Sequence, residues 1–145
     1  MGRHLLLLVA LSAAFVAGRS STRVDWQLPL PPIVVTLPPV PGDGLHLMVI
    51  EETWERPGLP RGQQDVIRAL RAGQLADGFA VRVWDKDMTA DDIAADPERE
   101  WFTAAMALER QSLPWIVVSN GKTGFSGPVP DGVEAMADLL RRYKP

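Results

Sequence analysis

Three short apolar runs punctuate the chain, at residues 45–50, 79–84 and 113–118, and the stretches between them repeat apolar residues at helical spacing. Short apolar runs bounded by turn residues read as buried strands, and strands that alternate with helical patterns build a sheet with helices on its faces. Residues 45–50 follow Gly-Asp-Gly, as a buried strand would. Over 63–76, Val66, Ile67, Leu70 and Leu75 predict a helix, with Asp77-Gly78 as its stop. In the second run Phe79, Val81 and Val83 share one face and Arg82 takes the other.

An acidic connection at 85–96 leads to Asp96-Pro97-Glu98, a helix start with a capping acid and proline in the first turn. Trp101, Phe102, Ala105, Met106 and Leu108 give that helix a broad apolar face. The third run, 113–118, precedes an Asn120-Gly121 turn and a short returning strand over 124–129. Asp131 is placed to cap a last helix, with Glu134 three residues on and Val133, Met136, Ala137, Leu140 and Tyr143 as its buried stripe. The expected class is α/β, in the order β-α-β-α-β-β-α over 45–145, with a mixed central sheet flanked by helices.

The first 44 residues read differently. Met1-Gly2-Arg3-His4 is a basic start, residues 5–17 are almost wholly apolar, and Val16-Ala17-Gly18 suits signal peptidase. The apolar run is shorter than the roughly 18 residues of a membrane span. Residues 1–18 therefore read as an export signal or a short membrane anchor. Six of the thirteen prolines fall between Pro29 and Pro41, which makes 19–44 an extended, polyproline-like linker. Within it, Ile33-Val34-Val35 reads either as part of a spacer or as an apolar triplet that adds as an edge strand or docks in a groove. The expected location is periplasmic, extracellular, or membrane-anchored and facing away from the cytoplasm.

Net charge is −3 and no basic cluster interrupts the chain, so nucleic acid is not expected as a ligand. The chain contains no cysteine, so neither disulfides nor a lipid-modified cysteine are open to it.

The order of elements, with proline at the mouth of the third strand, resembles the thioredoxin-like fold. Redox-active members carry Trp-Cys-Gly-Pro-Cys after their strand; the same slot here reads Trp54-Glu55-Arg56-Pro57-Gly58, keeping Trp and Pro. The resemblance implies a cis-proline at Pro114, a hairpin at Asn120-Gly121, and the family's buried acid replaced by Val49. It covers residues 45–145. Both cysteine positions are lost, to Glu55 and Gly58. Thiol–disulfide exchange needs a thiolate, so oxidoreductase, isomerase and thiol peroxidase chemistry are excluded.

Other chemistry finds little purchase. Ser119-Asn120-Gly121-Lys122-Thr123 has Ile116 where a phosphate-binding loop needs glycine. Gly124-Phe125-Ser126-Gly127 lacks the spacing of a nucleophile elbow, and past the leader His46 stands alone. Asp85, Asp87, Thr89 and Asp91 are spaced like the first ligands of a calcium loop, with Ala90 and Asp96 where Gly and Glu belong. A solvated acidic loop accounts for them as well. Glu51, Glu52 and Glu55 read as an exposed strand end rather than an acid–base pair.

What remains is a surface. The resemblance places the loop after the first strand beside the segment around Pro114. Trp54, Glu55, Arg56, Pro57, Leu113 and Pro114 are the candidate contacts for a protein or extended peptide, with Trp54 either an interface anchor or core and Trp115 core. The expected function is non-catalytic binding without a cofactor; the alternative is a structural or assembly spacer whose contacts lie in the proline-rich segment.

Overall fold

A computed structural model of the protein describes residues 33–35, 37–93 and 97–145. The expected leader and most of the proline-rich stretch lie outside the described residues, as does the expected capping Asp96. In chain order the elements are β1 (Ile33–Val35), β2 (His46–Glu51), α1 (Arg61–Arg71), β3 (Ala80–Asp85), α2 (Glu98–Ala107), β4 (Trp115–Ser119), β5 (Gly124–Pro128) and α3 (Val133–Tyr143). The protein is α/β, with a five-stranded mixed sheet in the order β1-β5-β4-β2-β3. Among the described residues only β2 and β3 pair in parallel; β2–β4, β4–β5 and β1–β5 are antiparallel.

The sequence explains why β2 lies inside the sheet. It is apolar on both faces, so both must be covered. Leu47 and Val49 face one cluster, with Val66, Ile67 and Leu70 of α1 and Met136, Leu139 and Leu140 of α3. Met48 and Ile50 face the other, with Phe102 and Ala105 of α2, Trp84, Trp115 and Val117. The parallel β2–β3 pair follows from α1, the crossover joining them, and the antiparallel β4–β5 pair from the short turn at residues 120–123.

Trp115 is core, as expected. It is 1 % exposed, and its indole Nε1 donates to Ser126 Oγ at 2.8 Å. Trp84 packs edge-on against Phe102 at 5.1 Å. The Leu113–Pro114 peptide bond is cis.

Several expectations need correction. The packed unit reaches upstream of the boundary at residue 45: β1 pairs with β5 at Ile33↔Ser126, and Val40 is buried in the α2-side cluster. The proline-rich stretch thus supplies an edge strand at Ile33-Val34-Val35, one of the readings its sequence allows beside a spacer and a groove-docking segment. Helix α1 stops at Arg71 rather than running to residue 76. Gly73 takes positive φ (66°), its N–H bonds Leu70 O, and Gln74 N–H bonds Ala69 O at 3.0 Å, a glycine-terminated C-cap that ends the helix before Leu75. Asp131 makes no capping bond to α3, whose N-cap is Gly132. On α3, Val133 is 39 % exposed, which removes it from the expected buried stripe, and Leu139, outside that stripe, is buried in the core.

His46 closes the upstream segment onto the sheet. Its Nε2 lies 3.2 Å from the Asp43 carbonyl oxygen, and its ring centroid is 4.1 Å from that of Trp101 on α2. Among the described residues its buried Nδ1 has no partner. Burial pulls the imidazole pKa below the usual histidine value, against a smaller opposite pull from the Asp43 carbonyl.

Candidate functional site

Past Glu51 the chain turns sharply. Glu55 N–H bonds Glu52 O at 3.0 Å, a single 3-10 turn follows over Arg56–Gly58, and Pro60 leads into α1. The turn is tied on several sides. Asp85 Oδ2 accepts from Thr53 N–H at 3.0 Å, and Gln64 Nε2 on α1 donates back to Pro57 O and Leu59 O. Held this way, the tip presents Trp54, which is 92 % exposed. Of the two readings of this indole, the interior one is therefore excluded. Glu55, Pro57 and Gly58 are exposed beside it.

The segment before β4 lies alongside. Leu113 is half-buried against the α2-side cluster and Pro114 is buried, its carbonyl accepting Val129 N–H at 3.1 Å. Glu55 and Leu113 share an open groove of about 440 Å³ with Lys86, Arg110, Gln111 and Ser112. Arg110 Nη1 donates to Met106 O at 2.9 Å, placing its cation on the C-terminal carbonyls of α2. The turn, through Glu55, and the pre-β4 segment thus form two walls of one depression; Trp54 precedes Glu55 on the same turn but does not line the groove.

Arg56 behaves otherwise. Its Nε donates to Glu51 Oε2 at 2.9 Å and its Nη2 to Glu51 Oε1, while Arg71 Nη2 reaches the same Oε1 at 2.9 Å. Glu51 is 1 % exposed, which corrects the expectation that it sits on an open strand end. It follows Leu47 and Val49 onto the α1 face, where only paired arginines make a buried carboxylate tolerable. The Glu51 hydrogen bond raises the pKa of the Arg56 guanidinium. Arg56 is thus committed to the fold through Glu51, and Glu51 and Glu52 do not form an acid–base pair: Glu52 is bonded to Lys86 Nζ at 2.8 Å.

The acidic connection after β3 folds on itself. Asp85 also accepts from Asp87 N–H at 3.0 Å, and these bonds, from Asp87 first and then Thr53, hold its carboxyl pKa down to about 2. Lys86 Nζ lies 2.7 Å from both Asp87 oxygens, and its pKa is raised by Asp87 and then Glu52. The carboxylates of Glu52, Asp85 and Asp87 converge within 4.8 Å, with this ammonium bonded to two of them. Thr89 bonds Asp92 Oδ2 at 2.9 Å instead of joining Asp85 and Asp87, and Asp91 lies exposed on the following 3-10 turn. The four residues with calcium-loop spacing are not gathered around one point.

Sequence reasoning missed Arg71 as a second partner of Glu51, and Lys86 and Arg110 as walls of the groove. Only the i, i+3 spacing of Arg68 and Arg71 on the α1 pattern signals that two cations share a helix face. Compared with protein-family models, curated proteins and solved structures, the chain matches none of them.

Proposed function

We propose that the protein is a non-catalytic binding module built on a thioredoxin-like fold without redox cysteines, exported or membrane-tethered. It holds an extended segment of another protein against Trp54, Glu55, Pro57 and Leu113. The β-α-β-α-β-β-α order from β2 to α3 around a mixed sheet supports the fold assignment. The observation that carries the function is the exposure of Trp54 on a turn fixed by side-chain hydrogen bonds. An exposed indole on a rigid loop offers a large apolar contact at small entropic cost. Arg56 and Pro114 frame this face from below rather than meeting the partner, since one is bonded to Glu51 and the other is buried.

Co-precipitation from an envelope extract of the native host, with the full chain and its Trp54→Ala variant, tests this reading. A protein retained by the first and lost by the folded variant supports it. Retention of the same proteins by both removes it.

A second reading has its own observation. Leu37, in the proline-rich stretch, is 73 % exposed. An assembly role through that segment would depend on Leu37 and be indifferent to Trp54.

A further inference from the structure

On the α1 side of the same turn, Arg56, Gln64, Ile67, Arg68, Arg71 and Ala72 line a groove of about 350 Å³. Three of the six are arginines, in a chain whose net charge is −3. Their pairing is unequal. Arg56 and Arg71 share the single carboxylate of Glu51, while Arg68 and Arg61 share that of Asp65, at 2.7 and 3.9 Å. Four guanidiniums thus divide two acids, and positive charge is left over at the groove.

The donors are also placed. Arg68 and Arg71 project from one face of α1, three residues apart. Glu51 fixes Arg56 and Arg71 from beneath, so neither has to be ordered when a ligand arrives. Each guanidinium carries five N–H groups. Among the described residues, Arg71 uses its Nη2 on Glu51 and Arg68 its Nη1 on Asp65, which leaves N–H groups of both for the groove. Gln64 is spent on Pro57 O and Leu59 O, so the polar recognition falls to the arginines.

We propose that this groove is an oxyanion site, taking a phosphate or carboxylate group between Arg68 and Arg71 with Arg56 behind. Planar forks of N–H donors match both groups in bidentate geometry. Glu51 is the positioning residue of the site. The inference is independent of the Trp54 face, since none of Trp54, Glu55, Leu113 or Pro114 lines the groove.

Arginine Nε–Hε signals of the full chain, followed by NMR during titration with inorganic phosphate and separately with acetate, test it at ionic strength held constant with chloride. The expected result is saturable shifts at Arg68 and Arg71 with at least one anion, weakened about tenfold by Arg68→Ala and unchanged by Arg141→Ala. Saturation by phosphate alone assigns a phosphate ligand, and saturation by acetate assigns a carboxylate. Because Arg71→Ala also disturbs Glu51, Arg68→Ala decides the matter. Linear, unsaturated shifts with both anions, or an unchanged titration in Arg68→Ala, would overturn the proposal.

Discussion

Replacing Arg56 with alanine should destabilise the protein far more than replacing Arg71, although both touch the same carboxylate. Arg56 bonds both Glu51 oxygens, and among the described residues it is the only partner of Oε2. Arg71 bonds Oε1 alone. Removing one member of a buried ion pair costs about 3–5 kcal/mol when the other is left uncompensated. Two features lower that figure: Arg71 stays in place, and the Arg56 side chain is 30 % exposed, so water can reach the vacated position. About 2–3 kcal/mol remains for Arg56→Ala. The Arg71 side chain is 48 % exposed. Its loss leaves Glu51 with both oxygens bonded, so Arg71→Ala should cost about 0.5–1 kcal/mol. In a domain of this size those values correspond to falls in Tm of roughly 10–20 °C and a few degrees. Arg56→Lys should lie between them, because one ammonium cannot reproduce the two-pronged contact. Urea unfolding followed by far-ultraviolet circular dichroism at pH 7 measures all three. Equal losses for Arg56→Ala and Arg71→Ala would refute the reasoning that Oε2 depends on Arg56.

Other consequences follow from the packing. His46 has a lowered pKa in the folded state, so its contribution to stability is complete above the unfolded value of 6.5 and is lost as pH falls below it toward the folded value. Unfolding free energies measured from pH 7.5 to 5 should decline more steeply for the wild type than for His46→Gln; equal slopes would contradict the assignment. Gly124→Ala places a Cβ against Val118 O and 2.7 Å from Pro39 Cγ, forcing apart β5 and the upstream segment. It should cost about 1–3 kcal/mol, read in the same urea assay, and a neutral result would contradict the crowding of this position by β4 and Pro39.

The order of strands and helices was legible because the apolar runs, their turn residues and the helical spacing between them agree with one another. Side-chain exposure was less so. Glu51 ends an apolar strand, and nothing local says whether the next helix covers that end; only the placement of Arg56 and Arg71 makes burial possible. Trp54 poses the converse problem, since an aromatic after a strand is compatible with core or surface until the turn's tethers to Asp85 and Gln64 fix its direction. The edge strand at Ile33–Val35 was masked by flanking prolines, which favour extended chain whether or not it pairs. Gly73 ended α1 through a conformation that apolar periodicity does not report.

The central claim rests on Trp54. An indole buries about 150–250 Å² on contact, worth several kcal/mol at about 25 cal/mol per Å² before the costs of association. The Kd of the captured partner's binding segment, measured by isothermal titration calorimetry for the wild type, Trp54→Ala and Leu37→Ala, tests the claim most directly. A loss of at least about thirtyfold in Trp54→Ala, with Leu37→Ala near wild type, is the expected result. Near-wild-type affinity in Trp54→Ala combined with a loss in Leu37→Ala would contradict the account and move the binding surface to the proline-rich segment.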